Sequence, residues 1–199
     1  AMIITDTDNN QINGFHPGAM EQAWQTRIAP RDDIKLGIIA PDGRDAMLQH
    51  ATQFAEADIP FIFDPGQQLP RFDGAELRDF ISKASWVTVN DYEGKMLCDR
   101  TGWDLAEISA QVRGLVVTIG AKGSEVWVEG RKTHVPAVTA KAVVDPTGCG
   151  DAYRGALLFG LEQGWSLERC AALGNHLGSI KIAERGPQNY VIDKQAIGL

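Results

Sequence analysis

Residues 143–161, VVDPTGCGDAYRGALLFGL, place a proline- and glycine-rich turn directly before an apolar run with helical spacing. Gly148, Cys149 and Gly150 are small and leave the backbone amides uncovered, and the first amides of a helix have no partner inside the helix. The helix dipole adds positive potential there, so the turn predicts a site for an anion, including one that forms during a reaction. Asp151 has two readings: it caps the helix, or it accepts a proton from a hydroxyl that attacks phosphorus beside that anion.

Short apolar runs alternate with helical patterns through the rest of the chain. Runs that favour strands cover residues 2–5, 11–15, 36–40, 60–63, 86–89 and 115–119. Segments with helical spacing cover residues 44–57, 75–82, 92–100, 105–112, 151–163 and 167–184. The alternation predicts βαβ units and therefore a buried, mostly parallel sheet, and residues 125–128 and 133–135 predict a hairpin at its edge.

Composition excludes several classes of protein. The formal net charge of −7 argues against nucleic acid or an anionic membrane as the main partner, and no apolar stretch reaches the roughly 20 residues of a membrane span. The three cysteines have no metal-ligand spacing, so we expect free thiols in a reducing cytoplasm. Residues 6–10 resemble a calcium loop but lack its glycine and glutamate, which favours a polar turn.

Two further motifs follow predicted strands, where open α/β sheets bind their ligands. Thr118, Gly120 and Gly123 would let a phosphate chain approach the backbone, or they form a plain tight turn into the next strand. Asn90 and Glu93 would order Mg²⁺ through water near the phosphates, or they form a capping box at a helix start.

Together these motifs resemble those of the ribokinase (PfkB-type) sugar and nucleoside kinases. The stretch Asp145-Pro-Thr-Gly-Cys-Gly-Asp151-Ala-Tyr-Arg-Gly-Ala is similar to the family's second signature. Asn90-x-x-Glu93 resembles its motif for Mg²⁺ and phosphate, and Thr118-x-Gly120-x-x-Gly123 resembles its ATP-binding turn. The three motifs occur in the family's order, so their joint signal is stronger than each alone.

The resemblance implies a role for each matching residue. Asp151 would be the general base, and the amides of Gly148, Cys149 and Gly150 would form the anion hole. Thr118, Gly120 and Gly123 would line the nucleotide, and Glu93 would hold Mg²⁺ through water. Asn175 would lie beside the adenine, although a polar helix residue with a local bond is the alternative. Asp145, Thr147 and Gly186 fall where many members bind a monovalent cation, so the implied cofactors are ATP, Mg²⁺ and K⁺.

The implied fold is a ribokinase-like three-layer α/β/α arrangement with a mostly parallel central sheet, helices on both faces and an edge hairpin. The chain resembles roughly the C-terminal two-thirds of that fold, so we expect the family's N-terminal part and most of its lid to be absent. We expect residues 1–199 to form one α/β domain in which residues 1–20 include a remnant of lid-proximal strands. Family members often dimerise through the lid, so the resemblance leaves a homodimer open without fixing the oligomeric state.

The substrate is the finer question. Residues 10–20 and 181–189 are similar to bacterial members described as adenosine-kinase-like, which favours transfer of the ATP γ-phosphoryl group to adenosine. A sugar kinase of the ribose or fructose type and a non-catalytic nucleotide- or sugar-binding module are the alternatives. Cys149 departs from the family pattern, because alanine or glycine is usual there; it is small enough to fit but oxidisable.

Overall fold

In a computed structural model of the chain, the described residues are 2–6, 11–29, 31–193 and 195. Strands β1 (Met2–Thr5) and β2 (Gln11–Gly14) pair antiparallel in a two-stranded sheet of their own. The described apolar side chains of this sheet are largely exposed: Ile4 is 70% and Ile12 is 74% accessible. Most of the polar turn predicted between the two strands lies outside the described residues.

The later strands form one six-stranded sheet in chain order. They are β3 (Gly37–Ile39), β4 (Phe61–Phe63), β5 (Trp86–Asn90), β6 (Gly114–Thr118), β7 (Ser124–Val128) and β8 (Arg131–Val135). Strands β3 to β6 run parallel, whereas β7 and β8 are antiparallel and make the expected edge hairpin. The register places Asn90 beside Thr118 at the carboxyl edge, so two of the sequence motifs become neighbours.

Helices cover both faces of this sheet. They are α1 (Arg44–Glu56), α2 (Gly74–Lys83), α3 (Asp91–Thr101), α4 (Leu105–Gln111), α5 (Cys149–Glu162) and α6 (Leu167–Lys181). Successive side chains of a strand point alternately to the two helical layers, as a pleated sheet requires. Phe61 and Phe63 pack into the apolar cluster of α1 to α4, while Ile62 packs with Tyr153 and Leu157 of α5. Burying a side chain of this size contributes about 1.5–3 kcal/mol, so both layers are held by ordinary core packing.

The predicted strands and helices are confirmed, with differences at their ends. Helix α5 begins at Cys149, two residues before the predicted start at Asp151, because Gly148 in the left-handed region (φ +86°) turns the chain into the helix. Helix α6 ends at Lys181, not at residue 184. The 3-10 helices at Gly18–Gln25 and Gly66–Arg71 were not predicted, since short 3-10 segments have no long apolar period. No helix in the described ranges combines the length and the apolarity needed to cross a membrane.

Candidate active site

The carboxyl ends of the parallel strands bring the sequence motifs together. Asn90 ends β5, Thr118 ends β6, and Asp64 follows β4 directly. The first turn of α5 approaches the same edge, since Arg154 of that helix reaches Asp64. This is the edge where open α/β sheets bind ligands, so the topology places the motifs where a site is expected.

The turn that opens α5 leaves backbone donors unused. Gly148 occupies the N-cap position without a side chain that could bond the first amides. A Cβ on Gly148 would lie 2.9 Å from atoms of Pro187, so both the backbone angle and the space demand glycine. The Cys149 amide already donates to the Pro146 carbonyl at 3.1 Å.

The amides of Gly148, Gly150 and Asp151, by contrast, donate to no acceptor among the residues that the structure describes. Of the predicted donors at residues 148–150, the Cys149 amide is thus already engaged, and the Asp151 amide is a further unused donor. Outward-pointing amides at a helix start form an anion site, and the helix dipole adds to their potential.

Asp151 does not act as a helix cap. The N-cap residue is Gly148, and the exposed Asp151 carboxylate accepts no hydrogen bond from another described residue. The capping alternative is therefore excluded for this residue. Its carboxylate stands in the first turn of α5, beside the unused amides, where it is available to a ligand.

A buried ion pair that was not predicted ties this turn to the sheet. Asp64 is only 1% exposed and accepts a hydrogen bond from Nη2 of Arg154 at 2.7 Å, while Arg154 Nε pairs with its second oxygen. Burial raises the pKa of the Asp64 carboxyl, and Arg154 opposes that rise. Arg154 Nη1 packs against Gly150, and the charges of Glu93 and Asp151 act on the pair. The guanidinium thus lies between Asp64 and the open turn.

Asn90 and Glu93 form the capping box that was one of their two readings. Asn90 Oδ1 accepts from the Glu93 amide at 2.7 Å, and Glu93 Oε2 accepts from the Asn90 amide at 2.8 Å. Helices α2 and α4 begin with the same box, so the box alone marks no site. Glu93 differs because its charge acts on both Asp64 and Arg154.

A cleft of about 570 Å³ runs from the end of β6 to the start of α5. Its volume is within the range of small-molecule sites. The residues of the predicted site that line it are Thr118, Gly120, Gly123, Cys149, Gly150 and Asn175. The tight turn after β6 is also real: Gly120 and Gly123 both have positive φ, at +59° and +101°. The tight turn is therefore what the geometry shows, and the approach of a phosphate chain to this wall of the cleft stays a prediction.

Asn175 lines the cleft, but its side chain is engaged with the protein. Its Nδ2 donates to the carbonyls of Val135 and Pro136, both at 3.1 Å, and its Oδ1 accepts from Ser124 Oγ at 2.8 Å. The local-bond alternative is therefore what the geometry shows. Asn175 fixes α6 to the hairpin β7–β8 and leaves no amide hydrogen for an adenine.

The unusual cysteine is half-buried in the same wall. Cys149 Sγ lies 3.8 Å from the Gly178 carbonyl, and burial raises the pKa of its thiol. A higher pKa leaves less of the reactive thiolate, so the residue is less prone to oxidation than its place in an open turn suggested. Cys98, Cys149 and Cys170 are all free thiols.

Asp145 organises the loop before α5. Its Oδ1 accepts from the Thr147 amide at 2.9 Å and its Oδ2 accepts from the Gly186 amide at 2.8 Å. These backbone bonds hold the pKa of Asp145 at about 2. The Asp145 carbonyl accepts from Lys181 Nζ at 2.7 Å.

The monovalent cation expected at Asp145, Thr147 and Gly186 would compete with donors of the protein. A bare cation needs free oxygens to replace its water shell. Both carboxylate oxygens and the carbonyl oxygen of Asp145 are engaged by donors of the protein. The assignment of K⁺ to these residues therefore stays a prediction, and the Lys181 ammonium on the Asp145 carbonyl argues against it.

Comparison with known proteins agrees with this geometry. The model of the pfkB family carbohydrate kinases matches residues 1–194. A nucleoside kinase of Methanocaldococcus jannaschii is 31% identical over 188 residues, covering 94% of this chain and 62% of that protein. The structure of Burkholderia thailandensis nucleoside kinase in complex with inosine is 48% identical, with a TM-score of 0.95 over 98% of this chain and 64% of the other.

The same enzyme in complex with ADP-inosine gives a TM-score of 0.93 at 48% identity, over 98% of this chain and 61% of the other. The chain therefore spans less than two thirds of the length of these relatives. The matched family model covers nearly the whole chain, and the observed three-layer fold is that of the structural neighbours. The chain belongs to the pfkB family of carbohydrate kinases.

Proposed function

We propose that the protein transfers the γ-phosphoryl group of ATP to a hydroxyl of a nucleoside. The observation that carries this proposal is the open turn of α5, where three unused amides and an uncapped carboxylate adjoin the cleft wall that Cys149 and Gly150 form. Phosphoryl transfer needs mainly positioning and stabilisation of charge, and these groups supply both.

The cleft between the turn after β6 and helix α6 is the proposed ATP site. Its lining is mostly small or apolar, with Gly120, Gly123 and Ala137 on one side and Gly174 and Gly178 on the other. Small residues leave room for a nucleotide against the backbone. The phosphate chain would then run toward Gly150 and the free amides of α5.

In the proposed reaction Asp151 accepts the proton of the acceptor hydroxyl while its oxygen forms a bond to the γ-phosphorus. The bond between that phosphorus and the oxygen of the β-phosphate breaks, and ADP leaves. The amides of Gly148, Gly150 and Asp151 stabilise the negative charge on the transferring group. Arg154 lies behind Gly150, where its ion pair with Asp64 holds the turn against the sheet.

Mg²⁺ is the cofactor that this chemistry implies, and Glu93 is the residue proposed to bind it through water. One Glu93 oxygen caps the Asn90 amide, and the carboxylate retains a second oxygen of the kind that Mg²⁺ prefers. When bound, the ion would neutralise charge on the phosphates. The chain's own residues hold the site without it, since the capping box fixes Glu93.

A nucleoside acceptor is supported by the relatives, because nucleoside kinases match nearly the full chain and one of their structures holds inosine. Adenosine remains one candidate within this class. An ADP-release assay of the full-length protein with inosine, adenosine, cytidine, ribose and fructose tests the proposal. We expect the nucleosides to give higher kcat/KM than the free sugars, with a nucleoside monophosphate as product by mass spectrometry. Turnover of ribose or fructose alone would restore the sugar-kinase alternative, and no turnover of any acceptor would favour a binding module.

A further inference from the structure

Lys181 is the last residue of α6 and is fully buried. A buried lysine is rare unless its charge is matched by the protein. Here Nζ donates to the carbonyl oxygens of Asp145 at 2.7 Å and Glu184 at 3.0 Å. The ammonium is therefore held by carbonyls from two separate segments, and its charge also acts on the Asp145 carboxylate.

These two segments shape the turn that opens α5. The amides of Val144 and Asp145 donate to the Ile182 carbonyl at 2.8 and 3.1 Å, so the segment before the turn lies against the end of α6. Gly186 donates to the Asp145 carboxylate, and the next residue, Pro187, packs on Gly148. Lys181 thus joins the chain on both sides of the proposed anion hole.

A fixed ammonium in this position resembles a bound cation in what it does. Potassium sites in proteins are built from carbonyl oxygens that replace water. The Asp145 carbonyl would be a natural ligand for such an ion, but it already accepts from Lys181, and both Asp145 carboxylate oxygens accept from backbone amides. A carbonyl oxygen can accept twice, but a K⁺ ion on the Asp145 carbonyl would lie beside the Lys181 ammonium and be repelled by its charge.

We propose that Lys181 is a built-in cation that holds the loop before α5 in its anion-binding shape, so that the protein needs no added monovalent cation. Lys181 is a positioning residue, because it acts through Asp145 and the turn. The kinetic part of the inference rests on the proposed function. The structural part does not, since stability can be measured without turnover.

The wild-type protein provides the first test. Initial rates with ATP, Mg²⁺ and inosine, and the thermal unfolding midpoint, are measured for the full-length protein in potassium chloride and in tetramethylammonium chloride at equal ionic strength. We expect the same rate and the same Tm in both salts. A rate about tenfold higher in K⁺ would overturn the inference, since a tenfold change corresponds to the free energy of about one hydrogen bond. A clear rise in Tm with K⁺ would overturn it too.

Two substitutions sharpen the test. Lys181→Ala leaves space beside the carbonyls of Asp145 and Glu184, and we expect a lower Tm and a rate lower by about tenfold or more in tetramethylammonium. Potassium or ammonium ions should restore part of both. Lys181→Met keeps most of the side-chain volume, so it should show similar losses without restoration by either ion.

Lys35→Ala is the matched control, because Lys35 is exposed and, among the described residues, forms its ion pair with Glu162 at the surface; it should behave as wild type in every salt. A Lys181→Ala protein indistinguishable from wild type, or one whose losses neither ion restores, would contradict the built-in cation. If no salt supports nucleoside phosphorylation by the wild type, the proposed function fails, and the Tm measurements still decide the role of Lys181.

Discussion

Two helices begin at the carboxyl edge of the sheet, and their first turns are built in opposite ways. Helix α3 begins with a closed capping box in which Asn90 and Glu93 bond each other's amides. Helix α5 begins after Gly148, which has no side chain to offer, and leaves amides of its first turn without acceptors in the described protein. In α3 the backbone amides are satisfied by the protein, and the carboxylate of Glu93 caps the helix. In α5 the amides and the carboxylate of Asp151 are not used in this way and remain for a ligand.

The largest expected effect tests the acid of the open turn. Asp151→Asn removes the proton acceptor while keeping the shape of the side chain, so we expect kcat to fall by about 10²–10⁴ with ATP affinity nearly unchanged. Asp104→Asn is the control, because Asp104 caps α4 and asparagine caps equally well. Steady-state rates and calorimetric measurement of ATP binding, made on both variants, test this prediction. Wild-type turnover in the Asp151 variant would rule out this residue as the base.

The next effect tests the ion pair behind the turn. Arg154→Met strands the buried Asp64 carboxylate, and we expect a loss of about 3–5 kcal/mol in the free energy of unfolding. Arg31→Met removes an exposed ion pair with Asp33 and should cost about 0–1 kcal/mol. Urea denaturation measures both. Asp64→Asn added to Arg154→Met should recover part of the loss, and equal stability of the two single variants would show that the pair is not structural.

A glycine substitution tests the backbone of the open turn. Gly148→Ala must adopt a positive φ and also meets Pro187, so its cost should exceed the about 1–2 kcal/mol of the positive φ alone. Gly164→Ala has a similar φ of +73° with open space around the new carbon, and should show only that smaller cost. We expect kcat to fall only in the Gly148 variant. Equal rates in the two variants would mean that the shape of the turn does not matter.

The smallest effect tests the closed turn. Asn90→Ala and Asp73→Ala each remove a capping side chain and should each cost about 1 kcal/mol of stability. Only Asn90→Ala should also raise the Mg²⁺ concentration needed for half-maximal rate, because it loosens Glu93. A rate unchanged at every Mg²⁺ concentration would reduce the α3 box to the purely structural role of its counterpart at α2.

Local pattern was enough to predict most of the fold. Apolar runs and helical spacing report the burial of each element, and the order of strands and helices implies the parallel sheet. The open turn of α5 was also predictable, because proline, glycine and an acid at a helix start act locally. The predicted start of α5 was two residues too late, because the positive φ of Gly148 sets where the helix begins.

The features that were missed depend on long-range contacts. Arg154 and Asp64 are separated by 90 residues, and Lys181 reaches Asp145 across 36. Asn175 was placed beside the adenine by resemblance alone, and its bonds to Val135 and Pro136 are contacts that the sequence does not show. One available signal was Asp64 itself, an acid directly after an apolar strand, which needs a buried partner.

The most direct test of the open turn is the chemical shift of its backbone amides. The full-length protein, labelled with ¹⁵N, is titrated with ADP, aluminium fluoride, Mg²⁺ and inosine, which together imitate the transferring phosphoryl group. We expect the amides of Gly148, Gly150 and Asp151 to shift strongly, while the first-turn amides of α2 and α4, closed by capping boxes, stay in place. Unchanged amides in the α5 turn, with ligand bound, would contradict the account.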